Sequence, residues 1–149
     1  MIKRMFILFG CCFLYTAVKA QHPDTLVSIK NYLQFMRNNI NTHEKTNKIK
    51  VSVYDSLIRL GTAREEQLKT SLASLQHQSD TEYPEMIKSF HFIMQSLVML
   101  KMDLKQNNYE HNENSRNEVI YLNKNIPVLI DKMYYFLEIE RKLKLSNTN

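Results

Sequence analysis

The chain is short of the residues that interrupt regular structure. Among its 149 residues are two glycines, Gly10 and Gly61, and three prolines, Pro23, Pro84 and Pro127. A sandwich or barrel needs turn residues every roughly ten positions, so an all-β fold is excluded. Phosphate-cradling loops, dinucleotide fingerprints and the Gly-x-Ser-x-Gly nucleophile turn are built on glycine, and they go with it. Cysteine is confined to the adjacent pair Cys11 and Cys12. No asparagine is followed two places later by Ser or Thr, so there is no glycosylation acceptor.

The one long uncharged apolar run is MFILFGCCFLYTAV, residues 5–18. Lys3 and Arg4 precede it, and Val18-Lys19-Ala20 follows. A basic start, a short apolar stretch and a small residue at the end are the layout of a secretory signal peptide. The run falls short of the ~20 residues that span a bilayer. The expected cleavage lies between Ala20 and Gln21, leaving residues 21–149 as a single domain. Cleavage removes Lys3, Arg4 and Lys19, so Lys+Arg falls from 20 to 17 against 15 Asp+Glu. The delivered chain is then near-neutral and free of cysteine. It lacks the clustered positive charge of an electrostatic nucleic-acid binder. The expected location is the periplasm or the extracellular space.

Beyond residue 20 the apolar residues recur at spacings of three and four. Asp24 to Asn39 reads as a short first helix with Leu26, Ile29, Leu33 and Met36 on one stripe. Asn38 to Asn47 reads as a polar link, with Asn41 and Glu44 as a capping box. A second helix follows to about Gln78, continuous through Gly61 with a kink there. Ser79 and Glu82 cap a third helix to Gln106, the most apolar segment, running from Met86 to Leu104. Ser115 and Glu118 cap the last, to Leu145, which Pro127 is expected to kink or break near Asn123. The fold class is all-α, an antiparallel bundle of about four helices. Three are long, and the shorter N-terminal one packs across one end.

Chemistry is sparse. The five histidines, His22, His43, His77, His91 and His111, fall in separate contexts with no metal-binding spacing. No metal or cofactor is expected. His91, on the apolar helix, reads as a partly buried structural residue. Glu65-Glu66 and Glu138/Glu140 have lysines at helical spacing and read as solvated faces. Met86, Met94, Met99 and Met102 read as core filling. Neighbouring residues on a helix point about 100° apart, so the run Tyr134-Tyr135-Phe136 must turn a ring outward. Tyr135 is the candidate contact residue.

The expectation is a non-enzymatic exported protein acting through protein–protein contacts, as an envelope subunit, adaptor or chaperone-like factor. The partner is a protein, the face is compatible with self-association, and neither nucleic acid nor a stable membrane span is expected. Two other readings fit the same residues. One is a secreted cytokine-like ligand. The other is a binder of a small apolar molecule in a cavity around Phe90, Met94 and Phe136.

Overall fold

The computed structural model describes residues 22–46, 51–73 and 82–146. These form four helices: α1 (His22–Thr46), α2 (Val51–Ala73), α3 (Glu82–Gln106) and α4 (Glu113–Ser146). Each packs on two neighbours in a closed ring, α1 on α2, α2 on α3, α3 on α4 and α4 on α1. Cross-helix contacts give the directions. His43 meets Tyr54 while Tyr32 meets Leu57, Asp55 pairs with Lys101 while Glu65 pairs with His91, and Tyr83 stacks on Phe136 while Ser96 bonds Glu118. Every adjacent pair therefore runs antiparallel, and the helices alternate up and down, as expected. No described helix is long and apolar enough to cross a membrane.

The first helix differs from expectation in length and role. It is 25 residues, as long as α3, and lies beside α2 and α4 instead of across an end. The stretch expected to be a link is its last turns, because Ile40 and His43 are buried and carry the Leu33–Met36 stripe onward. One apolar contact per turn suffices to hold a helix against a core. The turn-forming residues there are absorbed: Asn39 Nδ2 and Thr42 Oγ1 donate to the carbonyls of Phe35 and Asn38, each at 2.8 Å. Asn41 and Glu44 lie inside α1 instead of starting a second helix.

The core is the set of stripes facing inward. Leu26, Ile29, Leu33 and Met36 of α1 meet Leu57 and Leu68 of α2, Phe90, Ile93 and Leu97 of α3, and Leu122, Ile126 and Met133 of α4. Tyr54 joins them, although its hydroxyl has no hydrogen-bond partner among the described residues. That burial, with the nearby Glu44 charge, pushes its ionisation up to about 12. Of the four α3 methionines, Met86 and Met94 fill the core, whereas Met99 and Met102 are exposed.

Helix α2 is continuous through Gly61. The glycine is there for space: a Cβ would overlap the thioether of Met94 and the hydroxyl of Tyr32. That hydroxyl donates to the Leu57 carbonyl at 2.7 Å and touches Met94 Sδ at 3.4 Å. Three helices thus converge over one missing side chain. Burial also pushes the Tyr32 hydroxyl well above its ordinary ionisation range.

Helix α3 ends in two left-handed residues, Asn108 (φ 50°) and Tyr109 (φ 66°). The Tyr109 N–H caps the Leu104 carbonyl at 2.6 Å. Helix α4 starts at Glu113, ahead of the Ser115 cap that was expected, with Asn112 as its cap. Asn112 Oδ1 accepts the Ser115 N–H at 2.8 Å, and Ser115 Oγ accepts the Asn112 N–H at 2.9 Å. Ser115 is the inner half of this reciprocal box, which frees Glu118 to reach Ser96 of α3.

Helix α4 is continuous through Pro127. The proline ring removes the N–H that would bond the Asn123 carbonyl, and the helix is carried across by Ile126, Leu129 and Ile130 packed in the core. An interior proline costs a helix about 3 kcal/mol, partly returned by a stiffer unfolded chain. Pro127→Ala is therefore expected to stabilise the fold by about 1–2 kcal/mol. A urea midpoint that falls would instead make the pyrrolidine ring a packing element.

Candidate functional site

Two kinds of polar arrangement tie the helices together, and among the described residues neither assembles a reaction centre. The first joins α2, α3 and their neighbours. Glu65 is buried and accepts from His91 Nδ1 of α3 at 2.9 Å and from Lys69 at 3.1 Å. Glu65 is therefore no solvated face, and His91, expected to be a partly buried structural residue, is exposed and reaches inward. Glu66 beside it stays exposed. Lys101 pairs with Asp55, and Lys30 donates to the Tyr134 hydroxyl at 3.0 Å while lying 4.2 Å over its ring. The lysine lowers the ionisation of that hydroxyl.

Burial pushes the Glu65 carboxyl up, but the hydrogen bonds from His91 and Lys69 outweigh it and hold it below its ordinary value of 4.5. A carboxyl depressed on folding stabilises above its unfolded value, and that stability is lost as pH falls through the folded one. Wild-type stability should therefore drop on acidification below about pH 4.5, and Glu65→Gln should flatten part of that drop. Parallel urea midpoints from about pH 6 to about pH 3, bracketing the ordinary carboxyl range, would show it. Identical pH profiles would remove the bridge as a contributor.

The second arrangement lies at the end where α1 gives way to α2 and α3 to α4. The His43 ring packs 5.5 Å from that of Tyr54. His111 Nδ1 lies 3.3 Å from Ser115 Oγ, and its Nε2 is buried. Burial lowers the His111 ionisation; the Glu44 charge acts the other way. Among the described residues no three His, Cys, Asp or Glu side chains converge on a metal-sized point. His22 is the first residue of α1, and His77 lies outside the described residues, as do Ala20 and Gln21 and the side chains of Glu138 and Glu140.

The exposed apolar residues are a more coherent set. Tyr121, Val128 and Tyr135 recur every seven residues along α4, and Phe92 and Met99 do so on α3. They are 38%, 53%, 58%, 43% and 55% exposed, far from the near-zero values of the core stripe. Between the two helices lies a groove of about 240 Å³ with Ser89 and Phe92 on one wall and Tyr121, Asn125, Val128 and Lys132 on the other. Lys88 lies 5.8 Å over the Phe92 ring, and Lys132 lies 3.6 Å from Glu85. Tyr135 stands at one end of this face with its ring edge-on to the buried Phe136 at 5.9 Å. Tyr134 also points outward, toward α1.

The adjacent rings of the sequence single out Tyr135 but not Phe92, Tyr121 or Val128. The signal for these three is the second seven-residue recurrence, which runs beside the core stripe. A recurrence of apolar residues on a helix marks a buried face without saying whether the chain or another molecule buries it. No family model, curated protein or solved structure matches this chain, so the site stands on its own geometry.

Proposed function

We propose that this is an exported, non-enzymatic helical bundle that works through protein–protein contact, and that the α3–α4 face makes the contact. The observation that carries the reading is the row of exposed apolar side chains on two adjacent helices, Phe92, Met99, Tyr121, Val128 and Tyr135. Apolar residues scattered singly on a surface are ordinary, whereas a contiguous set bordered by charges is what interaction sites expose. Aromatic rings are also enriched where binding energy concentrates. Glu65, His91, Asp55 and Lys101 are engaged in bridges between α2 and α3. A small apolar ligand finds less support, because Phe90, Met94 and Phe136 are packed into the core.

The test is a photo-crosslinking residue placed at Val128 and, separately, at Arg59 on the exposed side of α2. In the native compartment the Val128 probe should give reproducible protein adducts that the Arg59 probe does not. Equal labelling from both, or none from either, would count against the face. Export is tested on its own by mass spectrometry of the mature protein, with an N-terminus at Gln21 expected and an intact Met1 fatal to it.

A further inference from the structure

We infer that the α3–α4 face pairs with a second copy of this chain, through a two-fold axis that lies in the contact plane and crosses both helices. The inference rests on the reading of that face as a contact surface and names its occupant. It is carried by the order of residues along the face. On α3, Phe92 and Met99 stand at equal distances from the point between Gln95 and Ser96. Lys88 and Asp103 stand at equal distances from the same point. On α4, Tyr121 and Val128 flank the point between Lys124 and Asn125, and Tyr135 lies one seven-residue repeat beyond. Helix α3 thus carries an apolar pair inside a pair of opposite charges, centred together.

The register between the helices brings the two centres close. Tyr83 against Phe136 and Glu85 against Lys132 place the α3 centre within about one helical turn of the α4 centre, and Ser96 against Glu118 places it within about two. An axis through both lays α3 antiparallel on its own copy and does the same for α4. Phe92 then faces the second copy's Met99, and Lys88 faces its Asp103. Tyr121 faces Val128. Isologous contacts of this kind need a patch that is complementary to itself. A face with one sign of charge throughout would repel its copy, whereas here the outer α3 pair, Lys88 and Asp103, is opposite. Among the described residues α1 and α2 carry no comparable row: their exposed apolar residues are Val27, Phe35 and Leu60. One group opposes the pairing: Lys124 falls beside the axis, where the two ammonium groups approach.

The test is the mass and self-association constant of the protein recovered after expression of the full chain, by analytical ultracentrifugation. Wild type should sediment at twice the monomer mass. Lys88→Glu sets like charges together at both ends of the pair and should weaken association by about tenfold or more. Lys88→Glu combined with Asp103→Lys should restore it. Lys124→Gln should tighten it, and Arg59→Glu on α2 should leave it unchanged. Circular dichroism checks that each variant keeps its helices, and the wild-type mass decides the matter even where a variant fails to fold. A wild type that stays monomeric at its highest soluble concentration overturns the pairing. So does a double swap that associates no better than the single reversal. Val128 adducts to a different protein would then leave the contact face standing, while their absence as well would remove both readings.

Discussion

Gly61→Ala is expected to lower the stability of the bundle by about 2 kcal/mol. Read from α2 alone the substitution should help, since alanine is the better helix former by about 1 kcal/mol. The surroundings reverse the sign. A methyl group would overlap Met94 and the Tyr32 hydroxyl, and overpacking a filled interior costs about 1–3 kcal/mol. The thioether of Met94 is the flexible end of a long side chain and can give way. The Tyr32 hydroxyl is less free: it is held by the Leu57 carbonyl, and losing that bond inside the core costs a further 1–3 kcal/mol or so. The mechanism makes a second, sharper demand. In a Tyr32→Phe background the clashing oxygen is gone, so Gly61→Ala should cost about 1 kcal/mol or less. Urea unfolding of the four proteins of this cycle gives the coupling directly. Equal costs in the two backgrounds would show that the tyrosine is not what Gly61 accommodates.

Phe90→Ala should cost about 4 kcal/mol, the middle of the range for deleting a buried aromatic ring. Phe90 is fully buried on α3, with its ring 6.1 Å from that of Tyr32 across the bundle. Domains of this size are stable by about 5–15 kcal/mol, so the substitution removes a large part of the margin. Met102→Ala on the same helix is the matched control. Met102 is mostly exposed, and surface truncations stay within about 0.5 kcal/mol. Both segments read as core from their apolar content, so the pair tests which way α3 is turned. The check is the shift in urea midpoint at constant slope. A Met102→Ala loss approaching that of Phe90→Ala would mean the helix face is wrongly assigned.

Much of the fold is legible in the order of the residues. Leu26, Ile29, Leu33 and Met36, or Leu122, Ile126, Leu129 and Met133, repeat at helical spacing, and they are buried. Such a stripe is a local property of consecutive residues, so it survives whatever the rest of the chain does. The same local logic fails at Asn38–Asn47, where a run of asparagines and threonines outweighs one isoleucine and one histidine. It fails again at Val98 and Met102, apolar residues that fall outside the arc α3 turns inward. Hydrophobicity says these side chains would gain from burial, and the ring of four helices leaves them partly open.

The candidate site is the least legible part. Tyr135 can be inferred to face outward because three adjacent rings cannot share one side of a helix. Phe92, Tyr121 and Val128 cannot, since their exposure depends on which flanks of α3 and α4 are covered by α2 and α1. Glu65 resembles one more surface carboxylate until α3 brings His91 to it. By itself, then, the sequence determined the helical character of the four segments, the up-and-down order that short links impose and most of the residues that had to be hidden, because periodicity and turn chemistry act over a few neighbouring positions. The tertiary structure alone decided the length of α1, the need for glycine at 61, the buried Glu65 bridge and the apolar row left open along α3 and α4. Each of these turns on what another helix, distant in sequence, brings within a few ångströms.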